Sequence, residues 1–377
     1  MTQSATAGLT LFVYGTGAGY KSIPTLEDRP SADLTDESNR LLFLRSPEQF
    51  FSLYAQGTTL VNAHRARGFL AQALAYLTTH REGKLTAAGR FSPQAIAQAQ
   101  ARAQESGMSL TVTTLPEPRL FQAQVSKTRL VGFVPCSGFA DELQALGACL
   151  APGFGVRGAE HWTNLWKTDV LVPALEAGVR KRDAFFAAAR EMARQTGAGV
   201  NYSAIGRELG IPGVTVREWM ALLRELCVVD VIEALNCKPA RRTLDRPKLI
   251  WRHPGFGLWL TGQMIRPSRA LCRAFFENAV ALALTDAYPS ARLRHFADTN
   301  AVTCPLLLDR AGFLQAFYIV ENEAERDTAL RHHKSILRTG KVAAEAALID
   351  FVSLASPARV SYEPTAAATA QAVRDSH

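Results

Sequence analysis

The residues with the most distinctive spacing in this sequence lie in the segment GTGAGYKS, which follows the apolar run LTLFVY. Its first glycine, its lysine and its serine have the spacing of the phosphate-binding pattern G-x-x-x-x-G-K-[ST]. In that pattern, backbone N–H groups surround the phosphates of a nucleotide, the lysine contacts them and the hydroxyl binds Mg²⁺. The candidate residues for binding ATP with Mg²⁺ are therefore Gly15, Gly17, Gly19, Lys21 and Ser22.

The same segment departs from the phosphate-binding pattern at Tyr20, which stands where the second glycine belongs. A tyrosine ring would fill the space of the phosphates, and it would resist the backbone angles that glycine allows. The pattern also requires a helix directly after the serine, whereas Ile23 and Pro24 follow here. These departures favour a glycine-rich turn without a ligand and leave an atypical nucleotide-binding loop as the alternative.

A second pattern with a chemical interpretation covers residues 201–226, NYSAIGRELGIPGVTVREWMALLREL. Ser203 is suited to cap a first helix, and Gly210 is suited to the left-handed residue that ends it. The segment IPG makes a turn, and a second helix begins at Val214 or Thr215 with its apolar positions mostly on one face. Two helices joined by a short glycine-containing turn predict a helix-turn-helix.

Several cations follow this segment in KPARRTLDRPKLIWR, residues 238–252, which we predict to form a β-hairpin wing. The wing would contact DNA phosphates, and the second helix would contact groove edges. Glu218 and Glu225 would face phosphates unfavourably, so a winged helix that binds protein is the alternative. The candidate nucleic-acid-binding residues are Thr215, Arg217, Arg224, Arg241, Arg242, Arg246 and Lys248.

Alternating strands and helices surround both segments and predict an α/β multi-domain fold. Apolar, β-prone runs predict strands at residues 9–14, within 58–66, and at 110–115, 128–136, 291–296, 302–309 and 314–321. Periodic patterns predict helices at residues 47–56, 67–79, 92–106, 268–287 and 323–337. Residues 160–232 are expected to be almost entirely helical.

The overall composition limits the class of protein. A length of 377 residues is too great for one ordinary core and predicts two or three domains. The formal charge of +8 permits a polyanionic partner without requiring one. None of the six cysteines forms a C-x-x-C pair, so no zinc site is expected. The sequence has neither a secretion signal nor a membrane-spanning run, so we predict a cytoplasmic location and no membrane partner.

The central part of the chain, from HWTNLWKTDV to VVDVIEAL (residues 161–235), resembles a family of bacterial and archaeal ATPases. Two later segments, RPKLIWRHPGFGLWLTG and RAFFENAVALAL, resemble that family in the same order. The resemblance covers residues 160–325 well and residues 9–150 faintly. Proteins of this family join a P-loop domain of the AAA+ type to a winged helix and to a C-terminal domain related to the restriction-endonuclease-like fold.

The resemblance implies three domains and a tail. Residues 1–150 would form a degenerate P-loop NTPase-like domain, residues 151–267 a helical winged-helix domain and residues 268–358 a restriction-endonuclease-like α/β domain. Residues 359–377 would be a loose tail.

The chain departs from the family at the residues that carry ATP hydrolysis. The family places Asp-Glu at the end of an apolar strand, whereas TLVNAHRA gives Asn62 and Ala63. Neither residue offers a carboxylate to hold Mg²⁺ or to polarise water. Phe133 stands where the family has an arginine.

The nuclease-like part departs in the same way. The fold uses a glutamate, then an aspartate, then E-x-K to hold a metal and activate water. Glu277 fits the first position, whereas Thr303 falls near the second and Val320-Glu321-Asn322 falls on the third. One carboxylate and no lysine cannot build that site.

These departures predict a catalytically impaired member of the ATPase family that acts as a DNA- or protein-binding module. It is not expected to be an active ATPase or nuclease. The alternatives are an ATP-binding P-loop ATPase with an atypical phosphate loop and a winged-helix DNA-binding regulator. DNA or a protein is the expected partner, and an oligomer is left open.

Overall fold

The chain forms two compact units in a computed structural model. The first unit comprises Met1–Pro118, Leu165–Val179 and Ala221–Val228. The second comprises Arg119–Asn164, Arg180–Met220 and Val229–His377. These boundaries differ from the predicted divisions after residues 150, 267 and 358. The structure describes residues 7–14, 26, 29–55, 57–91, 93–114, 121–126, 129–135, 159–236, 243–263, 267–310, 313–338, 346–350 and 362–364.

The helices and strands of the described residues are numbered in chain order. The helices are α1 (Glu37–Arg45), α2 (Pro47–Tyr54), α3 (Phe69–Thr79), α4 (Pro93–Glu105), α5 (Ala159–Leu165), α6 (Val172–Glu176), α7 (Arg182–Arg194), α8 (Tyr202–Leu209), α9 (Gly213–Glu225), α10 (Pro254–Thr261), α11 (Arg269–Ala287) and α12 (Glu323–Leu337). A short 3-10 helix covers Ala63–Arg65, and a π-helix covers Trp166–Leu171. The strands are β1 (Gly8–Val13), β2 (Ser31–Asp33), β3 (Thr59–Val61), β4 (Lys84–Gly89), β5 (Ser109–Thr114), β6 (Phe121–Ser126), β7 (Arg129–Pro135), β8 (Val229–Ala234), β9 (Lys248–Trp251), β10 (Arg292–Ala297), β11 (Thr303–Arg310), β12 (Phe313–Val320), β13 (Ala346–Asp350) and β14 (Tyr362–Pro364).

The first unit is built on a parallel sheet with the strand order β2-β3-β4-β1-β5. Strand β1 buries Leu9, Leu11 and Val13 on alternate positions. Strand β3 is buried at all three positions, as expected for an inner strand of a sheet covered on both faces. The apolar runs of the sequence therefore become the inner strands that position the residues following them.

A cluster of phenylalanines forms the helical side of this core. Phe43, Phe50, Phe51 and Phe69 are almost fully buried, and neighbouring ring centroids lie 5.5 to 5.8 Å apart. Burying an aromatic side chain of this size contributes on the order of 2–3 kcal/mol. The cluster therefore holds α1, α2 and α3 together over one face of the unit.

The second unit contains a seven-stranded mixed sheet with the order β14-β13-β12-β11-β10-β8-β9. Strands β10, β11 and β12 form an antiparallel meander, and α12 leads from β12 to the parallel strand β13. Strand β8 pairs antiparallel with β9 and parallel with β10. Residues 238–252 do not supply both strands of the predicted wing hairpin: they contribute β9, which pairs with β8 from the preceding segment, and both strands belong to this larger sheet. Strands β6 and β7 form a separate antiparallel pair.

Helices α8 and α9 form the predicted pair of helices around a short turn. The side chain of Asn201 caps α8 by accepting a hydrogen bond from the Ala204 N–H at 3.0 Å. The prediction that Ser203 is the cap is therefore wrong, because the helix begins two residues earlier than that cap would allow. Gly210 ends α8 with a left-handed φ of 66°, as predicted, and α9 begins at Gly213.

Most predicted elements are confirmed, and the departures are local. Strands β2, β4, β6 and β13 and helices α1 and α10 were not predicted. Strand β8 begins at Val229, inside the stretch expected to be helical. Strand β14 lies inside the predicted tail and pairs with β13, so the tail prediction is wrong for those three residues. Among the described residues, every helix is too short or too polar to cross a membrane.

Candidate functional site

The carboxyl edge of the parallel sheet is the place where an α/β unit of this kind binds a ligand. Strands β1 and β4 are neighbours, and the chain leaves them in opposite directions, to β2 at one edge and to β5 at the other. Ligands bind outside the carboxyl ends of the strands at such a reversal of order. Tyr14 directly follows β1, and Arg90 directly follows β4.

A chain of hydrogen bonds connects the ends of three strands at this edge. The Tyr14 hydroxyl donates to Asn62 Oδ1 at 2.7 Å, and Asn62 Nδ2 donates to Asp33 Oδ1 at 2.9 Å. Asn62 follows β3 with a left-handed φ of 55°, a conformation that asparagine tolerates better than most residues. Burial raises the pKa of Tyr14, so its hydroxyl keeps the proton that it donates. The network therefore fixes the orientation of the Asn62 amide.

His64 contacts Arg90 through both ring nitrogens. The Arg90 backbone N–H lies 3.2 Å from Nδ1, and guanidinium Nη2 lies 2.8 Å from Nε2. Burial lowers the pKa of His64 well below its ordinary value, and the charges of Arg90 and Arg65 lower it further. The ring is therefore neutral at physiological pH. Because a neutral imidazole has one acceptor nitrogen, it accepts one of these hydrogen bonds at a time.

The π-helix contributes the next layer of contacts to the same edge. Asp169 Oδ2 lies 3.1 Å from Arg90 Nη1 in an ion pair, and the carbonyl of Thr168 accepts a hydrogen bond from Arg65 Nη1. Segments of π-helix often occur at functional sites. The π-helix and the sheet edge lie in the same unit, so these contacts define one site.

The charges at this edge are not evenly matched. Arg90 is paired with Asp169, and Arg40 is paired with Glu176 at 3.3 Å. Arg65 is only 9% exposed, and no carboxylate of the described residues lies within 4 Å of its guanidinium. Burial lowers the pKa of Arg65, although the charge of Glu176 raises it in part. Asp33 at this edge is engaged by Asn62, so these three arginines have two further carboxylates as partners, and the arginine without a carboxylate of its own among the described residues is the buried Arg65.

A cavity of about 1130 Å³ opens beside these arginines within the first unit. Its polar end includes His64, Arg65 and Arg90. Its apolar wall includes Leu41 and Leu44 of α1 and residues of α3. The volume is slightly above the usual range for ligand sites, about 300–1000 Å³. The geometry can therefore accommodate a molecule with one anionic and one apolar part.

The predicted phosphate loop lies outside the described residues. Gly15, Gly17, Gly19, Lys21 and Ser22 belong to that segment, which directly follows Tyr14. Asn62 and Ala63 follow β3 at the same edge. The carboxylate of Asp33 also lies at this edge, where it accepts a hydrogen bond from the Asn62 side chain.

The predicted nucleic-acid-binding residues are distributed over both units. Thr215 is half-buried and Arg217 is exposed in the part of α9 that belongs to the second unit, and the Arg217 guanidinium lies 5.7 Å from the centre of the Tyr202 ring. Arg224 is exposed in the part that belongs to the first unit. Arg246 is exposed in the second unit. Arg241 and Arg242 lie outside the described residues.

Lys248 occupies a different place from the one predicted. Its side chain is buried in the second unit, and Nζ donates to Glu277 Oε1 at 2.8 Å and to the Pro305 carbonyl at 3.4 Å. An ammonium held in this way is not available to a DNA phosphate. The sequence placed Lys248 in an exposed wing, whereas β9 is incorporated into the large sheet and the Lys248 side chain contacts Glu277 of α11.

The other positions of the expected nuclease-like metal site do not converge on Glu277. Thr303 is exposed and lies beside His332, whose Nδ1 is 3.4 Å from the Thr303 N–H. Glu321 forms an ion pair with Arg269 at 2.8 Å. In the described part of the chain, no group of three or more His, Cys, Asp or Glu side chains has the arrangement of a metal site. The residues present do not fit a divalent metal at these positions.

Sequence reasoning did not find the residues that meet at the sheet edge in the first unit. Tyr14, Asp33, His64, Arg65 and Arg90 follow four different strands, and Asp169 lies far along the chain. One signal was present, because polar residues directly after buried parallel strands reach the carboxyl edge.

One family model, described as Domain of unknown function (DUF8612), matches residues 173–264. The match runs from α6 to just beyond α10 and covers less than half of the chain, so it includes the α8–α9 pair and the β8–β9 pair. No curated protein and no solved structure shows significant similarity to the sequence.

Proposed function

We propose that this chain is a catalytically impaired relative of P-loop ATPases that acts as a protein-binding module. The parallel sheet with a glycine-rich segment after its inner strand β1 supports the ATPase-like scaffold. The resemblance of residues 160–325 to the ATPase family supports the same scaffold.

The observation that carries the proposed loss of hydrolysis is the fixed amide at the end of β3. A P-loop ATPase needs a carboxylate there to help hold Mg²⁺ and needs a group that positions the attacking water. Asn62 instead accepts from Tyr14 and donates to Asp33, so its amide is engaged on both sides. The residues at this edge therefore do not fit Mg·ATP chemistry.

The pair formed by Lys248 and Glu277 supports the same conclusion for a nuclease activity. Glu277 is the one carboxylate that the sequence offered for the expected metal site. The Lys248 ammonium, 2.8 Å away, neutralises that carboxylate and already provides its cation. A nuclease metal at Glu277 would have to displace a buried ion pair.

Phosphate release from Mg·ATP tests the loss of hydrolysis in the full-length protein. We expect the wild-type rate to equal that of the Lys21→Ala variant, with and without DNA. A wild-type rate above background that disappears in Lys21→Ala would refute the proposal. A thermal-shift titration separates binding from hydrolysis, because a ligand at 100 times its Kd stabilises by about 2.7 kcal/mol. We expect no shift with millimolar Mg·ATP.

The start of α9 supports a protein partner. Val214 is 63% exposed, and Arg217 and Glu218 beside it carry opposite charges. An apolar side chain between opposite charges offers no net positive charge to a row of phosphates, so this position suits a protein surface better than a nucleic acid. We expect cross-linking in cells to identify a partner at residues 202–217 of the wild-type protein but not of Val214→Asp. Equal cross-linking of both proteins would contradict this assignment.

DNA binding is a second candidate function, favoured by the exposure of Arg217 and Arg246 in the second unit. Each phosphate contact contributes about 0.9 to the slope of log K against log salt concentration. If this candidate is correct, Arg217→Ala and Arg246→Ala will each reduce that slope by about 0.9 in anisotropy titrations with duplex DNA, whereas Glu218→Ala will not. Unchanged slopes in both arginine variants would exclude this mode of binding.

A further inference from the structure

We propose that the cavity of the first unit binds an anionic amphiphile, a small molecule with one carboxylate or phosphate head and an apolar chain. This inference goes beyond the proposed function, because it assigns a small-molecule ligand to the sheet edge of the first unit. Its polar end is formed at the carboxyl edge of the sheet and its apolar wall by α1 and α3.

The anionic head of the ligand is expected to bind Arg65. This side chain is nine-tenths buried, and its Nε has no hydrogen-bond partner among the described residues. Its Nη1 donates to the Thr168 carbonyl, which carries no charge. The carboxylates that act on it, Glu176 and Asp169, are engaged by Arg40 and Arg90. A buried guanidinium without its own anion is costly, and an oxyanion from the cavity would supply both the charge and the acceptor.

The alkyl chain of the ligand is expected to pack against the apolar wall of the cavity. Leu41 and Leu44 lie three residues apart on α1 and remain 40% and 58% exposed. Phe69, Leu70 and Leu74 on α3 line the same cavity. Large apolar side chains that stay exposed beside a cavity mark a binding surface. An alkyl chain laid over them would remove their apolar surface from water.

The mouth of the cavity argues against a polyanion. Glu37, Glu105 and Glu225 are exposed there beside Arg67 and Arg102. A nucleic acid at this surface would meet the three exposed carboxylates as well as the arginines, and this mixed charge does not favour a polyanion. A ligand with a single anionic head needs only one cationic contact, which the buried Arg65 offers.

Isothermal titration calorimetry on the full-length protein tests the proposal with decanoate, decyl phosphate, decanol, decylammonium and inorganic phosphate. We expect one molecule of decanoate or decyl phosphate to bind, and the tighter of the two identifies the head group. Decanol, decylammonium and inorganic phosphate should each bind at least tenfold more weakly. Decylammonium binding as tightly as decanoate would overturn the proposal.

Two variants separate the head contact from the chain contact. Arg65→Gln should weaken decanoate at least tenfold and leave decanol within twofold, whereas Arg65→Lys should retain part of the affinity. Leu44→Asp, at an exposed position, should weaken both ligands without changing the melting temperature. Anion binding that survives both Arg65→Gln and Leu44→Asp would refute the site. If Arg65→Gln does not fold, the ligand series on the wild type and the Leu44→Asp result decide the question.

Discussion

Replacing Asn62 by aspartate gives a sharp test of how the sheet edge is built. Asn62 Nδ2 donates to Asp33 Oδ1 at 2.9 Å, so Asn62→Asp replaces a donor by a second carboxylate at about the same distance. Two unit charges about 3 Å apart repel by roughly 1.4 kcal/mol in water and roughly 5 kcal/mol at an effective dielectric of about 20. Both residues are half-buried, so an intermediate cost of about 2–4 kcal/mol is expected at pH 8.

The pH dependence of that cost follows from the sign of the interaction. Repulsion raises the pKa of the new carboxyl group in the folded protein above its unfolded value of about 3.9. The protonated group can again donate to Asp33. The penalty is therefore absent at pH below the unfolded pKa, develops as pH rises through the folded pKa, and is complete above it.

Urea unfolding at pH 4.5 and at pH 8 measures this difference. Asn62→Gly provides the control, since it removes the same hydrogen bonds without a charge and tolerates the left-handed φ of 55°. We expect Asn62→Asp to lose more stability than Asn62→Gly at pH 8 and a similar amount at pH 4.5. A stability loss for Asn62→Asp that is equal at both pH values would refute the proposed contact with Asp33.

Three further outcomes test the packing of the second unit. Gly206→Ala should lower the free energy of unfolding in urea by about 1–3 kcal/mol, because a Cβ there would lie 2.5 Å from a backbone oxygen of the following turn. The control Ser203→Ala, at an exposed position of α8, should lower it by less than about 0.5 kcal/mol. Lys248→Met should lower the free energy of unfolding by about 3–5 kcal/mol, because it leaves the buried Glu277 carboxylate without its partner. The double variant with Glu277→Gln should recover most of that loss. A double variant no more stable than the single one would contradict this reasoning. Burial lowers the pKa of His295 to about 4. Between pH 4 and 6.5 the unfolded chain therefore binds more protons than the folded protein does. The free energy of unfolding should fall by up to about 3 kcal/mol as pH decreases through that window. His295→Gln should flatten this dependence in thermal unfolding, and an unchanged pH profile would show that another group titrates.

The elements predicted correctly are those with a strong periodic pattern or an end signal. Helix α4 begins at Pro93 and α11 begins after Ser268, which caps it through a hydrogen bond to the Leu271 N–H. Strand β4 was missed because four of the six residues in KLTAAG are lysine, alanine or glycine, which are depleted in strands, and Thr86 is its only β-branched residue. Its burial comes from neighbouring strands and not from its own composition.

The candidate site was missed for a different physical reason. Arg65 and the Thr168 carbonyl are 103 residues apart in sequence, and the π-helix that brings the carbonyl to the arginine has no sequence signal. The wing cations illustrate the opposite error. A run of basic residues predicts a solvated surface, yet Lys248 is buried because β9 pairs with β8 and faces Glu277. Local charge patterns cannot indicate which cation acquires a partner on folding.

The two buried cations of this protein differ in a way that separates stability from binding. Lys248 is paired with Glu277 within its own unit. Because this charge is already neutralised, anions in solution should not stabilise the protein by binding at Lys248. Arg65 has a neutral carbonyl as its described partner, so the folded first unit carries an unmatched charge. An unmatched buried charge destabilises the unit until an anion binds, and the binding energy then appears as added stability. Three results would therefore identify the sheet edge of the first unit as a binding site. Amphiphilic anions should stabilise the wild-type protein, substitution of Arg65 should abolish that stabilisation, and substitution of Lys248 should leave it unchanged.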